Sequence, residues 1–192
     1  MGGTMPTRKT PLLDGFGYHI YNRVNDDVQL FYGDSDYCLF LKLWRESRFE
    51  ECCRLYAYCL MPNHYHLLLK FTHADQFPGK MSRLFDRYLK KLNRTIQHSG
   101  RFFDNRFKNK IITDDSFLVY LCTYIHRNPL EAGLVQQLEE WPYSNYLEFV
   151  GKRRGKLWDE EFFHLYFSNH EDYEALIKNG SVSGLDPFIF DE

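Results

Sequence analysis

From Phe16 to about residue 25 the side chains fall into two alternating sets, with Tyr18, Ile20 and Asn22 on one side and His19, Tyr21 and Arg23 on the other. A period of two predicts a β-strand. Asp34-Ser35-Asp36 then offers an N-cap for a helix over about 37–51, whose Phe40, Leu41 and Trp44 lie at helical spacing. Two strands follow at 54–60 and 65–72, rich in aromatic and aliphatic residues, and Met61-Pro62-Asn63 between them predicts a hairpin. At about 80–98 the period becomes helical. Leu84, Phe85, Tyr88, Leu89, Leu92 and Ile96 form an apolar stripe, while Arg83, Arg87, Lys90 and Arg94 recur on another face. A short strand at 106–113 leads to Asp114-Asp115, which caps a helix over about 116–127. Pro129 predicts the end of that helix, because proline disfavours the helical conformation in the residue before it.

This order predicts an α+β fold: a ferredoxin-like βαββαβ core, an antiparallel sheet with helices on one face, plus an extra C-terminal helix. After Gly133 the pattern weakens. Trp141-Pro142-Tyr143-Ser144 reads as a packed turn and Lys152-Arg153-Arg154-Gly155-Lys156 as a basic surface loop, with a short helix near 159–167. A chain of 192 residues has room for one domain with appendages. The division expected is a flexible segment 1–15, a domain 16–150, and an extension 151–192 that is basic at first, then acidic and aromatic.

The net charge of −2 hides a cancellation. Residues 80–112 hold ten Lys or Arg against Asp86 and Asp104, whereas residues 157–192 hold nine Asp or Glu against Lys178. A basic segment of this kind is a footprint for phosphates. The 17 Phe and 14 Tyr either fill a core or give unpaired bases surfaces to stack on. No stretch approaches the roughly 20 apolar residues of a membrane helix, so no membrane partner is expected. The five cysteines form no Cys-x-x-Cys pair, which speaks against disulfides and structural zinc and for a cytoplasmic setting.

Two motifs carry chemistry. In His64-Tyr65-His66 the imidazoles lie two residues apart on a strand, so both project from one sheet face, where they either hold a divalent metal or are ordinary surface histidines. In Tyr124-Ile125-His126-Arg127-Asn128-Pro129 the tyrosine and Asn128 are four apart on a helix and share a face. The amide oxygen could complete a two-histidine site and the phenol could attack a phosphate bound there. The plainer alternative is a core tyrosine and an Asn-Pro helix stop. His126 projects away from Tyr124 and reads as structural or DNA-contacting, and Tyr88 is a rival nucleophile whose place in the apolar stripe suggests core.

The succession Tyr18-His19-Ile20-Tyr21-Asn22-Arg23, Met61-Pro62-Asn63-His64-Tyr65-His66, Tyr124-Ile125-His126-Arg127-Asn128-Pro129 and Ala132-Gly133-Leu134-Val135 resembles the single-tyrosine, His-hydrophobe-His transposases of bacterial insertion sequences. Within that family it resembles most the branch associated with repetitive extragenic palindromes (REP), whose usual ending Trp141-Pro142-Tyr143-Ser144-Asn145-Tyr146 also matches. The resemblance covers about residues 16–150. It implies a ferredoxin-like core, Mg2+ or Mn2+ on His64, His66 and Asn128, and Tyr124 as the nucleophile. The implied reaction cleaves and rejoins single-stranded DNA beside hairpins through a 5′-phosphotyrosine. Single-stranded or hairpin DNA is then the partner, and a homodimer is the assembly expected from the wider family, with Tyr124 completing its own site or a partner's. Arg83, Arg87, Lys90, Lys91, Arg94, Arg101, Arg106, Lys108, Lys110 and Arg127 are the candidate DNA contacts, unless the basic helix face is merely solvated. Two other readings stay open: a transposase descendant that binds hairpins without catalysis, and a metal-dependent nuclease that uses water.

Overall fold

The computed structural model describes residues 11–25, 28–98 and 100–179. Most of the segment expected to be flexible lies outside them. Strand β1 (Gly17–Arg23) is followed by helix α1 (Asp34–Glu46), a 3-10 turn (Phe49–Glu51) and the hairpin of β2 (Cys53–Met61) and β3 (His64–Phe71). Then come α2 (Phe77–Ile96), β4 (Lys108–Ile112) and α3 (Asp115–Glu131). The strands form one antiparallel sheet in the order β2-β3-β1-β4. This is the expected βαββαβ core with its extra helix.

Strand alternation gives the sheet two unlike faces. One carries Tyr18, Ile20, Tyr58, Leu60, Tyr65, Leu67 and Leu69, and packs with Phe40 and Trp44 of α1 and Met81, Leu84 and Tyr88 of α2. The opposite face carries Ala57, Cys59, Met61 and Leu68 and packs with Leu121, Cys122 and Ile125 of α3. The two helices of the βαββαβ core therefore share one face, and α3 crosses the other. Each large apolar side chain so buried contributes about 1.5–3 kcal/mol.

Some helix boundaries differ from expectation. Helix α1 begins at Asp34 instead of after the acidic turn; its N-cap is Gly33, and Asp36 accepts a hydrogen bond from the Tyr32 backbone N–H at 2.9 Å. Helix α3 is capped as expected, by Asp114 accepting from the Phe117 N–H, but it runs through Pro129 to Glu131. A proline this close to a helix end removes a single ladder bond. The Ala132 N–H still reaches the Asn128 carbonyl, and Gly133, at φ +68°, turns the chain out. The basic loop lies on the surface as expected, with Lys152, Arg154 and Lys156 exposed; Lys152 binds Glu139 and Glu174, while Arg153 pairs with the buried Glu148 and donates to the Pro142 and Ser144 carbonyls.

The C-terminal third adds a 3-10 turn (Leu138–Glu140), α4 (Tyr146–Phe149), α5 (Glu160–Tyr166) and α6 (His170–Asn179). Helix α5 is the short helix anticipated at 159–167; α4 and α6 have no counterpart in the sequence reading. Phe149, Phe162, Phe163, Phe167, Tyr173 and Ile177 join the core beneath α3. The acidic residues here serve the protein's own cations: Asp159 and Glu161 hold Arg54, and Glu174 holds Lys152 and Lys178. No helix of the described residues is long and apolar enough to cross a membrane.

Candidate active site

The hairpin turn sets the first residues of β3. The Pro62 carbonyl accepts from the N–H groups of Leu30 and Phe31, at 2.7 and 3.0 Å, and the Asn63 carbonyl from Val24 at 2.9 Å. His64 and His66 then point from the same sheet face toward α3, their ring centroids 4.9 Å apart and nearly perpendicular. The Nδ1–H of His64 donates to the Asn63 side-chain oxygen at 2.6 Å. Nδ1 of His66 lies 2.9 Å from Nε2 of His19. Burial, with a smaller push from Arg23, lowers the His64 pKa to about 4. Burial, then the neighbouring His19 and His64, holds His66 well below the usual histidine range. Both imidazoles are neutral at pH 7, the form that ligates metals.

Helix α3 brings the other two side chains. Tyr120, Tyr124 and Asn128 recur every four residues on one face, and α3 packs over β2 and β3. The Asn128 side chain lies beside His64, His66 and Tyr124, near enough to influence the titration of all three. Its Nδ2 also donates to the Tyr124 carbonyl at 3.0 Å. The Tyr124 ring stands edge-on to His66, centroids 6.0 Å apart. Burial raises the Tyr124 pKa above the usual phenol value, and the hydrogen bond from Asn128 opposes that rise. All four side chains come together within one chain.

Among the described residues no three His, Cys, Asp or Glu side chains gather at one point. A divalent cation here would have two imidazoles and the Asn128 amide oxygen as its donors. The residues fit such an ion. Both rings are neutral, and both have Nδ1 engaged elsewhere, which leaves the two Nε2 atoms for the ion; three neutral donors leave positions open for phosphate oxygens.

The candidate DNA-binding residues divide between the two sides of the sheet. Lys108 and Lys110 pair in register with Tyr21 and His19, so they belong to the histidine face; Lys110 lies over the Phe117 ring at 5.2 Å. Arg83, Arg87, Lys90, Lys91 and Arg94 are exposed on α2, which covers the opposite face, and Arg87 is paired with Glu46 at 2.6 Å. Lys90 and Arg94 edge a cavity of about 400 Å³ with Leu89, Asn93, Gly100 and Phe102. Arg101 and Arg106 are exposed in the segment between α2 and β4. Arg127 turns inward, donating to Glu131 and to the Ile177 carbonyl.

The rival tyrosine, Tyr88, is wholly buried on the α2 side and donates to the Leu30 carbonyl at 2.5 Å. His126 is also buried, with Nδ1 at 2.6 Å from the Tyr173 hydroxyl and Nε2 at 2.8 Å from the Asn145 side-chain oxygen. Three residues beside the site were absent from the candidate list. Asn63 holds His64, His19 touches His66, and Arg23 pairs in register with His64. For His19 and Arg23 the signal was alternation: with Tyr21 they lie on the strand side opposite Tyr18 and Ile20.

The IS200-like transposase family profile matches residues 13–128, well over half of the chain. The chain belongs to that family. Among curated relatives, a REP-associated tyrosine transposase of Haemophilus influenzae is 27% identical over 115 residues, which are 52% of this chain and 65% of the relative. The match thus spans slightly less than two thirds of that relative's length. Among solved structures, a REP-associated tyrosine transposase bound to a REP hairpin superposes with a TM-score of 0.62 at 17% identity, over 81% of this chain and 94% of that one. That likeness carries the fold of this IS200-like transposase beyond the family match and into its C-terminal helices.

Proposed function

We propose that this IS200-like transposase cleaves and rejoins single-stranded DNA beside hairpins through a covalent 5′-phosphotyrosine on Tyr124. Mg2+ or Mn2+ would be held by His64, His66 and Asn128. The observation that carries this reading is the convergence of His64 and His66 on β3 with Tyr124 and Asn128 on one face of α3, the Tyr124 ring standing edge-on to His66 and Asn128 beside both histidines. The hairpin in the related solved structure supports the choice of DNA.

Held by His64, His66 and Asn128, such a cation would neutralise charge on the scissile phosphate. Tyr124 provides the nucleophile: the bond from its phenolic oxygen to phosphorus forms as the bond to the 3′-oxygen breaks. The phenol loses its proton and the departing 3′-oxygen gains one. Because one phosphodiester replaces another, a second 3′-hydroxyl reverses the attack and rejoins strands without ATP. Asn128 is bound to the Tyr124 carbonyl within α3, and Lys108 and Lys110 bring positive charge to the histidine face. That one chain supplies all four side chains supports the reading in which Tyr124 serves its own subunit's site.

The test is incubation of a hairpin with a single-stranded flank and Mn2+, followed by denaturing electrophoresis. Wild-type protein is expected to form a denaturant-resistant adduct and Tyr124→Phe none. Cleavage by Tyr124→Phe without an adduct would instead identify a water-using nuclease. Hairpin binding by the wild type with no cleavage at all would identify a binding protein.

A further inference from the structure

His19 sits in the middle of β1, opposite Leu68 of β3 and Lys110 of β4, with no exposed surface. A buried polar atom without a partner destabilises the fold. Nε2 of His19 has a partner, Nδ1 of His66 at 2.9 Å, whereas its own Nδ1 has none. An apolar side chain would fill this place without that cost, as Ile20 and Tyr18 do on the other side of the strand. The ring is also held in orientation, stacked 4.7 Å from Tyr21 and 5.1 Å from His66. A buried polar group kept at such a cost calls for a physical reason.

The reason lies in the proton between the two rings. Two neutral imidazoles share one hydrogen across this contact. If His19 donated it, the proton of His66 would sit on Nε2 and block the lone pair on the side of His64 and Asn128. If His66 donates from Nδ1, its Nε2 is free, and the proton of His19 resides on the unpartnered Nδ1. Asn63 already enforces the equivalent arrangement on His64, since a side-chain oxygen at 2.6 Å accepts only from a protonated Nδ1. We propose that His19 is a positioning residue for His66: it accepts the Nδ1 proton, fixes the ring, and leaves the Nε2 lone pair aimed into the site. Histidines that bind metals commonly have the other nitrogen held in this way. The proposal rests on the reading of His64, His66 and Asn128 as a cation site.

The experiment is calorimetric titration of the full chain with MnCl2, with His19→Leu, His19→Gln and His64→Ala beside the wild type. His19→Leu removes the acceptor and is expected to weaken Mn2+ binding by about 10–100-fold. His19→Gln, whose amide oxygen accepts the same proton, is expected to regain most of the affinity, which a purely packing role would not predict. Normal Mn2+ binding by His19→Leu, alongside lost binding by His64→Ala, overturns the role of His19 and leaves the cation site standing. A wild-type chain that takes up no Mn2+ overturns the cation site itself. Should His19→Leu fail to fold, 15N NMR of histidine-labelled wild type decides the matter, with or without Mg2+. A proton on Nδ1 of His66 is expected, and a proton on Nε2 overturns the proposal.

Discussion

The two faces of the sheet are held by different physics. Toward α1 and α2 the contacts are almost entirely apolar, with aromatic rings meeting edge to face, as Phe40 does with Tyr88 and Phe31. Toward α3 the apolar core gives way to a polar cluster of His19, His64, His66, Asn128 and Tyr124, and the far side of α3 is pinned by buried hydrogen bonds. His126 joins α3 to Tyr173 of α6 and to Asn145, and Asn145 in turn holds the backbone of Tyr56 and Tyr58 in β2. A helix packed only by hydrophobic contact tolerates small shifts, whereas hydrogen bonds fix direction as well as distance. The helix that carries the proposed nucleophile is tied by such bonds to α6 and, through Asn145, to β2.

The sharpest way to break this comparison is to remove one hydroxyl from each face. Tyr124→Phe is expected to abolish adduct, cleavage and rejoining while leaving stability near that of the wild type. Tyr88→Phe is expected to cleave normally and to lose about 1 kcal/mol, because it frees the buried Leu30 carbonyl. Denaturing gels and urea midpoints read the two effects separately. Lost cleavage in a well-folded Tyr88→Phe would assign the chemistry to the wrong face.

Next in size is the anchor itself. His126→Leu removes two buried bonds and strands Tyr173 and Asn145, at an expected cost of about 2–3 kcal/mol in urea unfolding. Mn2+ affinity should change little, in contrast to His19→Leu. A cost within about 0.5 kcal/mol, the usual range for surface substitutions, would show that hydrophobic packing alone holds α3.

Acid should act on the same face. Burial lowers the pKa of His126 to about 4 and that of His19 to about 3, against roughly 6.5 in the unfolded chain. As pH falls below the unfolded value, the unfolded chain binds protons that the folded one refuses. Stability is therefore greatest above about pH 6.5 and declines through the window down to about pH 4. Urea midpoints measured across that window should fall with pH, and less steeply for His126→Leu. A flat profile would mean that these imidazoles are not held neutral.

The smallest effect on the fold is expected from the basic face of α2. Replacing Lys90, Lys91 and Arg94 with Ala should shift stability by less than about 0.5 kcal/mol. Hairpin binding should weaken and its salt dependence flatten, by roughly one log–log unit per lost phosphate contact. An unchanged slope would leave α2 a solvated surface and concentrate DNA contact on Lys108 and Lys110.

Much of this molecule is legible in the order of its residues. Period-two and helical patterns place the four strands and three main helices of the core, because each element must turn its apolar side inward wherever it lies. The shared direction of His64 and His66 follows from strand alternation, and that of Tyr124 and Asn128 from the helical repeat. Boundaries were less legible: Pro129 sits in a helix it was expected to end, since a nearby Gly133 cap and the packing of α3 outweigh a local preference. Helix α6 left little trace, because its hold on the core rests on few buried side chains, chiefly Tyr173 and Ile177.

What only the tertiary structure decided is which of these local features meet. Asn128 lies 62 to 64 positions from the histidines it stands beside, and His19 lies 47 from His66. Within the acidic segment Asp159 and Glu161 pair with Arg54 and Glu174 with Lys152, and Arg127 donates to the Ile177 carbonyl. Local periodicity depends on neighbours a few residues away and is written in the chain itself. The partners of a buried imidazole or a surface arginine depend on how helices and strands far apart in sequence are laid together, and that is settled only when the two cores close.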